Sequence, residues 1–101
     1  MAIGVDIEDI NRFEGKSEEF LDRIFTPLEL EYCMKYSKPQ SHLAVRFCAK
    51  EAVVKTLTAL GILHVSYNEI EIYHNENQCP QIRILKKLEK NIVFQVSLSH
   101  D

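Results

Sequence analysis

The sequence predicts an α+β fold in which a long, buried helix packs against a mainly antiparallel sheet, with short helices before it. From about Ser41 to near Gly61, apolar residues surround the helical wheel almost completely, which is typical of a helix buried on most sides. Beyond that helix the period changes, because Ile70 and Ile72 alternate with polar neighbours as in a half-buried strand. Helix therefore gives way to sheet along the chain.

Length and composition predict one small domain. The chain has 101 residues, of which 46% are hydrophobic, and it contains no linker, repeat or low-complexity tract. We therefore treat residues 1–101 as a single domain. A monomer this short leaves much of its surface exposed, so self-association is plausible.

Charge and cysteine content exclude several classes of protein. A formal net charge of −3 argues against a general nucleic-acid binder. Three cysteines without close CxxC spacing favour neither a disulfide framework nor a zinc knuckle, and they fit a reducing compartment. No run approaches the ~20 apolar residues of a membrane span, and no export signal is evident. We expect a cytoplasmic protein that binds neither nucleic acid nor membrane.

The N-terminal half predicts a strand and two short helices. Residues 2–7 read as a strand that presents Asp6 near its end. Ser17 is a candidate N-cap for a helix over residues 18–24. Thr26, Pro27 and Glu29 form a capping-box pattern, so a second helix is predicted from Pro27 to about residue 36. The segment 37–39 is expected to end it.

The C-terminal part predicts a hairpin and a further strand. Residues 69–73 and 80–85 are two β-rich runs separated by the polar segment 74–78, which indicates a hairpin. Residues 92–98 are again β-rich and lead to Ser99 and His100. Adjacent residues of an extended strand point to opposite faces, so this Ser–His pair is not a hydrolase site.

The charges on the long helix are the main chemical candidates. Glu51 falls among apolar neighbours on the wheel, and Lys55, one turn on, is its nearest candidate partner. One interpretation is an ordinary Glu–Lys helix pair. Another is that Glu51 and Asp6 hold a hard cation such as Mg²⁺, with Lys55 facing a phosphate. His42, His64 and His74 form no ligand group and are interpreted as capping, surface or turn residues.

Five segments in order resemble one family, the holo-acyl-carrier-protein synthases, the small single-domain branch of the phosphopantetheinyl transferases. They are Ile-Gly-Val-Asp at residues 3–6 with Arg12, the run at 20–29, Arg-Phe-Cys-Ala-Lys-Glu-Ala at 46–52 with Lys55, the hairpin at 68–80, and Ser-Leu-Ser-His at 97–100. The resemblance implies a phosphopantetheinyl transferase-like fold with a curved sheet. It also implies Mg²⁺-dependent transfer of phosphopantetheine from coenzyme A to a serine of apo acyl carrier protein, with release of adenosine 3′,5′-bisphosphate.

The resemblance also implies roles for particular residues. Asp6 and Glu51 would bind the metal, and Lys55 would stabilise charge on the phosphate. Glu51, or a metal-bound water, would accept the serine proton. Contact with coenzyme A is expected for Arg46, Lys50, Gly61 and His100, and contact with the acidic carrier protein for Arg12 and Arg23. The family typically forms homotrimers with shared active sites.

Two features depart from the family pattern. The family usually has a Gly-x-Gly loop after the long helix, whereas only Gly61 stands there in this sequence. The family also continues past the Ser-His motif with a further strand, and this sequence ends at Asp101. A carrier-protein-binding or assembly subunit without turnover, and a structural trimer with ion-paired helix charges, are the alternatives. Retention of Asp6, Glu51 and Lys55 favours the enzyme.

Overall fold

The computed structural model describes residues 12–86 in full and the backbone of residues 2–3 and 97–98. The elements follow the predicted order, and a 3₁₀ turn at Tyr67–Glu69 precedes the hairpin. Their bounds are β1 Ala2–Ile3, α1 Glu18–Ile24, α2 Pro27–Met34, α3 Pro39–Ala59, β2 Ile70–His74, β3 Pro80–Ile84 and β4 Ser97–Leu98. The predicted α+β class is confirmed.

The two short helices begin where the sequence predicted. The Ser17 hydroxyl accepts a hydrogen bond from the Phe20 amide at the start of α1. At the start of α2 the Thr26 hydroxyl accepts from the Glu29 amide, and the Glu29 carboxylate accepts from the Thr26 amide. This reciprocal pair is the predicted capping box.

Helix α3 begins at Pro39, earlier than the predicted Ser41. Proline is acceptable in the first turn because its missing N–H would have no acceptor within the helix. Pro39 therefore opens α3 instead of only ending the helix before it. Helix α2 ends at Met34, short of the predicted residue 36.

Within the described residues the strands form two separate pairs. Strands β2 and β3 are antiparallel, with Ile70 opposite Ile84 and His74 opposite Pro80, which confirms the predicted hairpin. Strands β1 and β4 are parallel, with Ile3 opposite Leu98. The rest of the predicted strands at 2–7 and 92–98 lies outside the described residues.

The apolar side chains of α3 connect three clusters of the core. Its N-terminal half packs with Phe13, α1 and α2, and its middle packs against Ile72 of β2. Its C-terminal half packs against Ile70 and the segment after the helix. Burial on most sides is confirmed for residues 43–50, of which only Cys48 is not classed as buried. No helix within residues 12–86 is long and apolar enough to cross a membrane.

Candidate functional site

The four charged residues of α3 differ in their burial. Arg46 and Lys50 have no exposed surface, Glu51 is half-buried, and Lys55 is exposed. Because side chains turn by about 100° per residue around a helix, Arg46 and Lys50 lie on one side of α3, and Glu51 and Lys55 lie together on another. The first pair is therefore enclosed in the fold, whereas the second pair reaches its surface.

Lys50 binds three different elements of the fold. Its ammonium group donates to the carbonyl of Ile24 at 2.7 Å, to Glu29 Oε1 at 2.5 Å and to the carbonyl of Tyr67 at 2.9 Å. An ammonium group has three N–H donors, so all of them are used. With no exposed surface and no remaining donor, Lys50 is not available to coenzyme A in this conformation. Contact between Lys50 and coenzyme A stays a prediction, and it would require Lys50 to give up one of these three bonds.

Glu29 is the buried counter-charge of Lys50. Besides Lys50, its Oε1 accepts from the Thr26 amide at 2.8 Å, and its Oε2 accepts from the Ile72 amide at 3.0 Å. A single carboxylate thus caps α2, pairs with α3 and binds the backbone of β2. The partner predicted from helical spacing was Lys55 for Glu51, whereas among residues 12–86 the ion pair of α3 joins Lys50 to Glu29.

Burial works against both charges of this pair. Loss of water raises the pKa of Glu29, while the charge of Lys50 and hydrogen bonds from Thr26 and Ile72 act to lower it. Burial likewise lowers the pKa of Lys50, and the charge of Glu29 acts to raise it. Each group therefore depends on the other to remain ionised in the interior.

A second pair of charges extends this network to the hairpin. The Thr26 hydroxyl donates to Glu71 Oε2 at 2.5 Å, and Glu71 Oε1 accepts from Arg83 Nε at 2.7 Å. Glu71 was predicted on the polar face of its strand, yet it is buried. The start of α2 supplies a hydroxyl donor there, and Arg83, directly opposite on β3, supplies the counter-charge.

Glu51 and Lys55 lie on one face of α3, one turn apart. Within residues 12–86, neither side chain has a hydrogen-bond or ion-pair partner, and no ion pair joins the two. The simple interpretation of a Glu–Lys helix pair is therefore not supported. A half-buried carboxylate without a protein partner suits a cation ligand, and a nearby exposed ammonium group suits an anion.

Arg46 lies inside the fold beside Tyr32. Its Nη1 donates to the carbonyl of His42 at 3.0 Å, and its guanidinium group lies 4.4 Å from the centre of the Tyr32 ring. With no exposed surface, Arg46 holds the start of α3 against α2. Its contact with the coenzyme stays a prediction.

Gly61 ends α3. Its φ of 82° lies in the left-handed region, the Gly61 amide donates to the Thr58 carbonyl, and the Ile62 amide donates to the Leu57 carbonyl. These bonds form a Schellman motif, with Ile62 packed in the same cluster as Leu57. The helix stop expected near Gly61 is confirmed, whereas contact between Gly61 and coenzyme A stays a prediction.

The arginines assigned to the carrier protein are both exposed. Arg12 lies with its guanidinium 5.1 Å from the centre of the Phe47 ring, and Arg23 is in the last turn of α1. The same helix carries exposed Glu18, Glu19 and Asp22. The surface of α1 is therefore mixed in charge.

Two predicted site residues, Asp6 and His100, lie outside the described residues. The described part of the chain contains no group of three or more His, Cys, Asp or Glu side chains that could hold a metal ion. Of the two predicted metal ligands, Glu51 is the one that lies among the described residues.

A cleft of about 380 Å³ opens between α2 and the hairpin. Its walls carry charges of both signs and aromatic rings, and none of the predicted site residues lines it; the lining residues are Leu28, Glu31, Tyr32, Lys35, Ile72, Tyr73, His74, Gln78 and Arg83. The cations here already have contacts, because Lys35 lies 4.3 Å from the Tyr32 ring centre and Arg83 pairs with Glu71.

Sequence reasoning missed the connection between Glu29 and Lys50. Glu29 was identified only through its capping box, which accounts for one hydrogen bond of its carboxylate. One signal for the rest was present, because Lys50 lies in the most apolar part of α3 and a buried ammonium group requires a counter-charge. Which acid supplies that charge is decided by how α2 packs on α3.

Comparison with known proteins identifies the family. The model of the 4′-phosphopantetheinyl transferase superfamily matches residues 2–100. The chain is 40% identical over 87 residues to a holo-[acyl-carrier-protein] synthase of Halothermothrix orenii, covering 82% of this chain and 69% of that protein. It is 36% identical over 107 residues to the enzyme of the same name from Protochlamydia amoebophila, covering 99% of this chain and 88% of that protein.

A solved structure agrees with these sequence relatives. The crystal structure of holo-[acyl-carrier-protein] synthase from Neisseria meningitidis superposes with a TM-score of 0.60 at 33% identity, covering 79% of this chain and 65% of that one. The resemblance read from the sequence motifs is confirmed. This chain belongs to the 4′-phosphopantetheinyl transferase superfamily and, within it, to the holo-[acyl-carrier-protein] synthase family.

Proposed function

We propose that this protein transfers the phosphopantetheine group of coenzyme A to a serine of apo acyl carrier protein and releases adenosine 3′,5′-bisphosphate. Family membership and the shared name of its relatives support this reaction. One observation in this chain carries the proposal: a half-buried Glu51 and an exposed Lys55 lie on one face of α3 without an ion pair between them. Neither side chain has a partner within residues 12–86.

The donor set of this face suits Mg²⁺. Glu51 offers carboxylate oxygens, and Mg²⁺ is usually held by one or two carboxylates together with phosphate oxygens and waters. Asp6 would be the second carboxylate. When bound, Mg²⁺ supplies positive charge at the pyrophosphate of coenzyme A.

The residues of this chain then have defined tasks in the reaction. The serine hydroxyl oxygen forms a bond to the β-phosphorus of coenzyme A, and the bond from that phosphorus to the bridging oxygen breaks. Adenosine 3′,5′-bisphosphate leaves with the bridging oxygen and its negative charge. Lys55 stabilises the charge that develops there, and Glu51 accepts the serine proton.

The same proposal covers the partners and surroundings of the enzyme. Exposed Arg12 and Arg23 would attract an acidic carrier protein, and His100 would approach the nucleotide. A homotrimer would cover some of the large apolar side chains exposed within residues 12–86, which are Leu28, Met34, Tyr36, Leu60, Leu63 and Leu85. Three free cysteines suit a cytoplasmic location.

The test is the mass of apo acyl carrier protein after incubation with this protein, coenzyme A and Mg²⁺. We expect a gain equal to phosphopantetheine, its loss when Mg²⁺ is chelated, and its loss with Glu51→Gln. Glu31→Gln, an exposed glutamate of α2, is the matched control and should leave the reaction unchanged. If the folded wild-type protein modifies none of several carrier proteins yet still binds them, the non-catalytic alternative replaces the enzyme.

A further inference from the structure

We propose that the buried Glu29–Lys50 pair is a positioning device that sets the rotation of α3 and thereby directs Glu51 into the active site. Neither residue of the pair touches substrate in this proposal. The inference rests on the proposed function, because the orientation of Glu51 matters only if Glu51 acts in the active site.

The three hydrogen bonds of Lys50 fix the rotation of α3 about its own axis. Its three acceptors belong to the end of α1, to α2 and to the 3₁₀ turn, at distances of 2.7, 2.5 and 2.9 Å. Hydrogen bonds weaken steeply when their length or angle changes. A turn of α3 about its axis would therefore strain bonds to several elements at once.

The apolar contacts of α3 constrain the rotation of the helix about its axis less strongly than the hydrogen bonds of Lys50 do. Its buried side chains surround the helix and include the small residues Ala44, Val45, Ala49 and Val53. The hydrophobic effect is non-directional and depends on the area removed from water. A helix that is enclosed by apolar neighbours over most of residues 43–50 loses little burial when it turns slightly, so directional bonds select the angle.

Glu29 connects the buried ion pair to strand β2 as well. Its Oε2 accepts from the Ile72 amide at 3.0 Å, while its Oε1 receives Lys50 and the Thr26 amide. One carboxylate thus fixes α2, α3 and β2 relative to one another.

A small rotation of α3 displaces the carboxylate of Glu51 by a distance that matters for catalysis. Glu51 follows Lys50 directly, so its direction is set about 100° around the helix from the anchored side chain. At about 6 Å from the helix axis, a rotation of about 10° moves a carboxylate by about 1 Å. A displacement of about 1 Å can cost roughly 10²-fold in rate.

Two variants separate positioning from simple stability. Lys50→Arg keeps the charge but replaces a compact ammonium group with a planar fork that cannot make the same three bonds. Glu29→Gln with Lys50→Met removes both charges while keeping similar volume and a carbonyl acceptor for a backbone amide. The matched control is Glu31→Gln with Lys35→Met, which removes one exposed acid of α2 and one exposed base directly after it.

The readouts are kcat, the Mg²⁺ concentration for half-maximal rate, and equilibrium binding of coenzyme A with Mg²⁺ in the absence of carrier protein. For the two test variants, folded by circular dichroism, we expect kcat to fall about 10²-fold. We also expect a higher Mg²⁺ midpoint and at least tenfold weaker coenzyme binding. The control should match the wild type in all three.

Each other outcome is decisive. Wild-type kcat, Mg²⁺ midpoint and coenzyme binding in either folded variant would overturn the inference. Loss of folding in both variants would also overturn it, because the pair would then be needed for the fold itself. A wild-type protein that transfers nothing refutes the proposed function instead, and the binding measurement still decides whether the pair positions Glu51.

Discussion

The ammonium group of Lys50 lies 2.5 Å from a carboxylate oxygen of Glu29, and neither side chain has exposed surface. The two residues are far apart in sequence and belong to different helices. Their contact connects the capping box of α2 to the interior of α3. Both the stability of the fold and the direction of the neighbouring Glu51 depend on this contact.

Removing Lys50 alone should be strongly destabilising. Lys50→Met leaves the buried carboxyl group of Glu29 without its counter-ion, so that it either stays charged in the interior or takes up a proton. Breaking a buried pair in this way costs about 3–5 kcal/mol. Denaturant unfolding measures the loss. Lys55→Met, an exposed lysine of the same helix, should change the free energy of unfolding by no more than about 0.5 kcal/mol. Equal losses in the two variants would contradict the structural role given to Lys50.

The stability contributed by Glu29 should fall as pH rises. Burial raises its pKa in the folded state above the ordinary 4.5, so above that pH the folded chain holds a proton that the unfolded chain has lost. The contribution is fully present below pH 4.5 and is lost as pH rises through the folded-state pKa. Relative to Glu29→Gln, the wild type should therefore lose free energy of unfolding on going upward from pH 4.5. A difference that grows in favour of the wild type over this range would contradict the direction of the shift.

Replacement of Gly61 should cost stability through backbone strain alone. A side chain at this position meets nothing within 4 Å, but the φ of 82° is unfavourable for residues with a Cβ atom. Gly61→Ala should lower the free energy of unfolding by about 1 kcal/mol. Gly61→Asn should lower it less, because asparagine tolerates the left-handed region. Equal effects of alanine and asparagine, measured by chemical denaturation, would rule out this explanation.

Loss of the Lys55 charge should slow transfer without unfolding the protein. If Lys55 stabilises charge on the leaving group, Lys55→Met should reduce kcat by about 10²- to 10³-fold. Lys55→Arg should recover part of the rate, because it keeps a positive charge near the phosphate. Initial rates at saturating coenzyme A measure both. Lys35→Met, an exposed lysine directly after α2, serves as the control and should retain the wild-type rate.

Charged residues of α1 should change the KM for apo acyl carrier protein through electrostatic attraction and repulsion. Arg23→Ala should raise the KM for apo acyl carrier protein about two- to fivefold and leave kcat unchanged, as for an exposed ion pair. Glu19→Gln on the same helix should act in the opposite direction, since it removes repulsion of an acidic partner. Both effects should shrink at high salt. A salt-independent change in KM would show that charge is not its cause.

Local sequence signals predicted most of the fold. The caps Ser17 and Thr26 and the apolar wheel of α3 act over a few residues, and each appears where it was expected. Strand β2 also lies where it was expected, but it buries Glu71 between Ile70 and Ile72 and does not alternate. The start of α3 was misplaced because Pro39 can either end one helix or open the next. Deciding between these roles requires the path of the chain before it.

The family motifs in the sequence identified the enzyme class, and the comparisons confirm that identification. The roles of Arg46 and Lys50 could not be assigned in the same way. Both belong to the motif that includes Glu51, so the resemblance placed all three near the coenzyme. The structure separates them, because only Glu51 keeps partial exposure while the other two are fully enclosed.

The sequence by itself determined the order of helices and strands, the family, and the set of charges on α3, because these depend on local spacing and on motifs. Tertiary structure alone decided which charge pairs with which. Helical spacing proposed Glu51 with Lys55, whereas packing of α2 and β2 on α3 brings Glu29 to Lys50. A buried ammonium group takes the acceptors that the surrounding elements bring within hydrogen-bond distance, and only the folded chain sets those distances.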